Sequence, residues 1–215
     1  MRGRRRTDLG SNLQDRWRHR QPLKSPATLS VRLYGDPVLR QPATRVSPPD
    51  EKLSELARCL EATMRVADGI GLAAPQVGIS LQIALVDLRK VEKRPSSLEM
   101  AGKAVDWRTQ MPLFFCNPVI TLTRKREEAE EGCLSFPNVY GAVRRSLRIR
   151  MDYQDLQGRP MSLQAGGLLA RALQHEVDHL QGILFIDRME PEIRKSIAPS
   201  LLELMQTTQS KAKAG

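Results

Sequence analysis

The sequence predicts an α+β fold: a single domain with antiparallel or mixed β-sheets packed around a central helix that carries HEVDH. Three observations carry that prediction. Two apolar patterns of helical period, at residues 50–67 and 167–181, stand among short strand-like runs without regular strand–helix alternation, which argues against a doubly wound parallel sheet. In LRIRMDYQ, Leu147, Ile149, Met151 and Tyr153 alternate with Arg148, Arg150 and Asp152, so one face is buried and the other wet. The chain has 215 residues, enough for one full core and short for two.

In chain order, residues 1–29 have little apolar periodicity and read as a basic, disordered extension, outside a catalytic domain spanning 30–190. VRLYGDPVLRQPA is extended and broken by proline. Leu53, Leu56, Leu60 and Met64 then form one apolar stripe of a helix over 50–67 that ends before Gly69. LQIALVDL (81–88) has the aliphatic and β-branched content of a strand, and the charged stretch 89–112 reads as a surface loop. LFFCNPVITL (113–122) is a further apolar run that Pro118 bends or places at an edge. The second helix runs from Gly167 to Gln181 and stops at Gly182. Residues 191–215 add a C-terminal helix and tail, with Pro191 suited to a first turn and Pro199 expected to break or kink it.

Composition narrows the function classes. The formal charge is +10, but residues 1–28 hold eight Lys or Arg against Asp8 and Asp15, leaving 26 against 22 in the other 187 residues. The excess therefore lies largely in the extension, which admits a ribosome or RNA contact there, or an Arg-rich transit peptide. No run is long and apolar enough to predict a membrane span. Three cysteines, at 59, 116 and 133, argue against a disulfide framework and favour a reducing compartment.

QHEVDHLQG carries the strongest chemical signal. At about 100° per residue, His175 and His179 fall roughly 40° apart on one helix face, the bite two imidazoles need for one metal ion. Glu176 lies about 60° from His179, near enough to move a proton beside the metal without ligating it. A third protein ligand is required. The HExxHxxGxxH pattern fails because its last position is Phe185. Cys59 and Cys116 sit in apolar runs as core residues, which leaves Cys133, in EEGCLSFPN, ranked ahead of Glu203 in LLELM.

From Gly69 to Val86 there is no charged side chain, in a protein where 27% of residues are charged. GIGLAAPQVG therefore presents backbone and one polar side chain, the carboxamide of Gln76.

Together, GIGLAAPQ, EGCLS and HEVDH, in that order, resemble the three signature motifs of the peptide deformylases, with the likeness running from about Val31 to Met189. The resemblance implies metal-dependent hydrolysis of the formyl group from the N-terminal methionine of nascent chains, releasing formate. It makes Cys133, His175 and His179 the ligands of one divalent metal, Fe(II) in the cell with zinc, nickel or cobalt able to occupy the site. It makes Glu176 the general base and acid, and gives oxyanion stabilisation to the Gln76 carboxamide and the Leu134 N–H. Backbone at Ile70 and Gly71 would pair with the substrate as an added strand, and Leu168 and Ala172 would wall the methionine pocket. An arginine that binds substrate in the family has Asn138, Val139 and Tyr140 around its position here, which leaves Arg144 or Arg145 as substitutes. The partners implied are N-formylmethionyl nascent peptides, with no membrane and no specific DNA. The location implied is a bacterial cytoplasm, or an organelle if residues 1–29 are a transit peptide. A general zinc peptidase and a metal-stabilised RNA-binding module are the competing classes.

Overall fold

A computed structural model describes residues 26–47, 51–91 and 94–214. The extension expected at residues 1–29 lies outside the described residues up to position 25. Leu29 already belongs to the body: its N–H donates to Thr63 Oγ1 at 2.9 Å, and its side chain packs on the core.

Helix α1 (Glu51–Val66) buries the stripe Leu53, Leu56, Leu60 and Met64, as the spacing predicts. Strands β1 (Gly71–Ala73) and β2 (Ile83–Val86) follow, joined through a 3-10 turn at Ala74–Val77. All four β2 residues are buried because the sheet is covered on both faces. Ala84 and Val86 face one cluster, and Ile83 and Leu85 face the cluster built on α1. A strand covered twice reads as a continuous apolar run, which explains why LQIALVDL shows no alternation.

The stretch 89–112 is not simply a surface loop. It contains a hairpin, β3 (Ser96–Met100) and β4 (Lys103–Val105), whose turn has Ala101 at φ 50° and Gly102 at φ 73°. Two successive left-handed residues make the primed turn that matches strand twist. Ala-Gly is a weak signal for that turn, and Leu98 alone in β3 is fully buried, so the strand pattern hardly shows. Trp107 is also buried, in a 3-10 turn at Trp107–Gln110.

Strand β5 (Leu113–Leu122) carries a register shift between Cys116 and Val119, where Asn117 takes φ 50° ahead of Pro118, so the expected bend is present. Strands β6 (Arg126–Cys133) and β7 (Phe136–Ser146) form a separate two-stranded ribbon. Strands β8 (Arg148–Gln154) and β9 (Pro160–Gly166) complete the main sheet, in the order β1-β2-β5-β8-β9-β3-β4 with every neighbour antiparallel. In β8, Ile149, Met151 and Tyr153 are buried while Arg148 and Arg150 are exposed.

Helix α2 (Gly167–Leu180) lies against one face of that sheet, with Leu169, Leu173 and Val177 in one cluster with Phe115, Met151 and Leu163. It ends as expected at Gly182, which takes φ 72° while its N–H donates to the His179 carbonyl. The C-terminal segment is two helices, α3 (Pro191–Ser196) and α4 (Ala198–Ala214), separated at Ile197. Pro199 thus falls in the first turn of α4, where a missing N–H costs nothing. Leu201 of α4 joins Phe136, Val143 and Phe185 in a third cluster behind the ribbon.

Candidate metal centre

Two elements meet at the site. Helix α2 supplies His175 and His179 one turn apart, with ring centroids separated by 5.0 Å. The ribbon supplies Cys133, the last residue of β6, whose Sγ lies 3.3 Å from His179 Nε2. One donor atom from each of the three residues lies within 4.8 Å of the others. A four-coordinate ion at ~2.3 Å from sulfur and ~2.0–2.1 Å from nitrogen separates such donors by about 3.3–3.6 Å, so the residues present fit one divalent ion. Glu203, the alternative third ligand, is exposed on α4 and is not part of the cluster.

Glu176 is 4% exposed, and its Oε2 has no hydrogen-bond partner. Burial pushes its pKa up to about 7, against the opposing pull of His175 and Arg145. Gly71 of β1 lies directly against this carboxyl: a Cβ there would come within 2.3 Å of Glu176 Oε1. Edge strand and acid can be this close only because position 71 has no side chain.

The Gln76 carboxamide is buried and fixed at both ends. Its Oε1 accepts from the Ala73 N–H at 2.9 Å, and its Nε2 lies 3.4 Å from Cys133 Sγ and 3.3 Å from Ser135 Oγ. Leu134 follows Cys133 in the turn between the ribbon strands, and its side chain lies over Gly69. Ile70, Gly71, Leu168 and Ala172 line the same cleft, of about 630 Å³, as Gln76, Cys133, His175 and Glu176. Strand β1 ends the sheet, and among the described residues no strand pairs with its edge opposite β2.

Beneath the histidines lies a charged cluster whose pairing the motifs do not disclose, although Glu131 opens EGCLS and Asp178 lies within HEVDH. Glu131 Oε2 meets His175 Nδ1 at 3.0 Å, while Arg145 Nε and Arg171 Nη1 donate to Glu131 Oε1 at 2.9 and 2.8 Å. Arg145 also pairs with Asp178, which in turn binds Arg188 at 2.7 Å. Burial opposes ionisation of Glu131, but its bonds to His175 and Arg145 outweigh it and hold the carboxyl well below the usual range. Burial, then the charges of His175 and Arg145, push His179 well below its usual pKa. Burial opposes the charge on His175 too, but hydrogen bonds to Cys133 and Glu131 outweigh it and raise His175 well above its own usual value, so His175 ligates only on giving up that proton. Arg145 is thus committed to Glu131 and Asp178, and neither it nor Arg144 lines the cleft. The arginines that do line the cleft are Arg94, from the stretch read as a loop, and Arg171 of α2.

A thiolate and two imidazoles beside a buried carboxyl, in a cleft flanked by an open strand edge, define the class: a mononuclear metallohydrolase of peptide-like substrates. The comparisons agree. The family model described as polypeptide deformylase matches residues 28–195. A peptide deformylase of Opitutus terrae is 44% identical over 189 residues, covering 86% of this chain and 98% of the relative. One from Thermosynechococcus vestitus is 46% identical over 172 residues, covering 80% and 83%. The crystal structure of a Synechococcus elongatus peptide deformylase in complex with actinonin superposes with a TM-score of 0.67 at 41% identity, covering 88% of this chain and 91% of that one. The chain belongs to the polypeptide deformylase family.

Proposed function

We infer that this cleft removes the formyl group from the N-terminal formyl-methionine of newly made chains, with Cys133, His175 and His179 holding the metal and Glu176 moving the proton. The chain is a metal-dependent hydrolase acting on formylated peptides. The supporting observation is a Cys/His/His donor set beside a buried carboxyl, Glu176, whose Oε2 has no hydrogen-bond partner.

A divalent ion held there would supply Lewis acidity and make a water acidic near neutral pH; a borderline-soft donor set of one thiolate and two imidazoles suits iron(II) and admits zinc, nickel or cobalt. Glu176, with a pKa of about 7, populates both protonation states at neutral pH. It can therefore accept a proton and return it to the departing amine nitrogen. The Gln76 Nε2 donors converge beside Cys133, where with the Leu134 N–H they stabilise charge developing on the formyl oxygen. The free edge of β1 at Gly71, with backbone at Ile70, takes the peptide as an added strand. Leu168 and Ala172, one turn apart on α2, wall the pocket for the methionine side chain. No fixed charge between Gly69 and Val86 opposes that apolar side chain.

The test is formate release from formyl-Met-Ala-Ser by anaerobically purified protein, with metal content measured alongside. Cleavage of unformylated peptides by protein at full metal occupancy, without formate release, would overturn the reading.

We assign the residues before Leu29 to a basic extension that contacts the ribosome, with the catalytic domain starting about Leu29 and ending near 190, before the C-terminal helices and tail. The relatives named above are bacterial, which supports a bacterial cytoplasm as the site of action. No helix among the described residues is long and apolar enough to cross a membrane. A chain beginning at Pro26 should deformylate normally and lose salt-sensitive ribosome co-sedimentation; undiminished co-sedimentation would exclude the extension as the contact.

A further inference from the structure

The thiolate and the imidazoles stand on separate elements, so something must hold ribbon and helix in register. We propose that Arg171 is the positioning residue that does this. The inference rests on the metal-centre reading above.

Arg171, His175 and Asp178 fall at i, i+4 and i+7, on one face of α2, and that face meets the ribbon. Asp178 is tied to the ribbon through Arg145, one turn after His175. Arg171 makes the tie one turn before it. Its Nη2 donates to the Glu127 carbonyl of β6 at 2.8 Å, and its Nη1 donates to the Val143 carbonyl of β7 at 2.8 Å, with a longer approach of 3.5 Å to the Ala129 carbonyl. The same Nη1 reaches Glu131 Oε1 at 2.8 Å, two residues before Cys133. The planar guanidinium of Arg171, a residue only 7% exposed, therefore grips both strands of the ribbon and the carboxylate that orients His175. A planar fork spreads its donors over acceptors on separate strands, whereas an ammonium gathers its three donors at one nitrogen on a flexible stem. In an apolar helix run, GLLARALQ, a buried arginine is otherwise costly, and its acceptors offset that cost.

Because the arginine sits outside the ligand set, its removal should leave the three donors in place but loosen their spacing. The experiment compares wild-type holoprotein with Arg171→Leu and Arg171→Lys, and with Arg150→Leu, which breaks an exposed pair with Asp152, as control. Two quantities are read: the rate of metal release into a chelator, and the thiolate-to-metal charge-transfer band of the cobalt-loaded proteins. Both Arg171 variants should release metal roughly 10- to 100-fold faster, the range seen when outer partners of metal ligands are removed, and should shift the band. Arg150→Leu should match wild type. If the Arg171 variants melt earlier but release metal at the wild-type rate with an unshifted band, Arg171 is only a packing residue and the proposal fails. Should Arg171→Leu not fold, Arg171→Lys decides by the same two readings. Wild-type protein that binds no metal would instead overturn the metal-centre reading itself.

Discussion

Replacing Gly71 with alanine would set a Cβ 2.3 Å from Glu176 Oε1, 2.8 Å from its Cδ and 3.1 Å from its Cγ. Non-bonded heavy atoms prefer separations of about 3.5 Å, so the carboxyl has to retreat by about 1 Å or β1 has to lift from α2. Glu176 lines the cleft, so a carboxyl that retreats leaves its place beside His175 and Cys133. Overpacking of this kind costs about 1–3 kcal/mol of stability. A catalytic group misplaced by about 1 Å loses on the order of 10² in rate, near 2.7 kcal/mol of barrier. The ligand atoms are not touched, so metal content should stay at wild type while kcat for formate release falls about 10²-fold. A double-mutant cycle with Glu176→Gln isolates the cause. If the methyl group acts through Glu176, adding Gly71→Ala to Glu176→Gln should lower kcat little further. Full multiplication of the two effects would show that Gly71 acts elsewhere, for example by blocking the substrate strand, which a raised KM would report. Wild-type kcat in the single variant, at full metal occupancy, would refute the reasoning outright.

Other expectations follow from the same geometry. Cys133→Ala should lose metal and formate release together, whereas Cys59→Ala and Cys116→Ala, both buried in the α1 cluster, should keep metal and lose only stability; metal analysis of the three proteins decides. Glu176→Gln should keep its metal, since the donors remain, and lose about 10² to 10⁴ in kcat, the usual share of general acid–base catalysis; a near wild-type rate would remove Glu176 from the mechanism. In metal-free protein, the Glu176 pKa raised from 4.5 to about 7 means the folded state holds a proton that the unfolded state releases between those values. That stabilisation is complete below about 4.5 and lost as pH rises through 7, roughly 3 kcal/mol in all, with most of it lost between pH 5 and 8. Urea unfolding of wild type against Glu176→Gln should show this difference, and a gap independent of pH would contradict the burial argument.

What the sequence disclosed depended on whether a residue's neighbours in space were also its neighbours along the chain. His175, Glu176 and His179 sit on one helix, so helical period alone sets their mutual positions, and the structure keeps that arrangement. The stripe of α1 and the alternation of β8 were legible for the same reason, because each faces one core and one solvent side. The hairpin of β3 and β4 was hidden by its short edge strands and its Ala-Gly turn. The charged cluster was hidden more deeply, since Arg145, Arg171, Asp178 and Glu131 come from three elements and no local pattern joins them.

Glu131 shows what was missing. In REEAEEGC the acids at 127, 128, 130 and 131 look alike as a solvated charge run, yet 127, 128 and 130 are exposed while 131 is 7% exposed. Taken as a strand, the run becomes decisive: side chains two apart share a face, so the face that turns Cys133 to His179 also turns Glu131 to His175. Ala129, two residues earlier, continues that half-buried face, and the register partners Val143 and Arg145 of Ala129 and Glu127 are buried beside it. Period two is therefore present in β6, but its one inward acid, Glu131, is set apart only by the arginines that neutralise it, Arg145 of β7 and Arg171 of α2. A polar group is buried where partners await it, and those partners are set by the tertiary fold rather than by the local sequence.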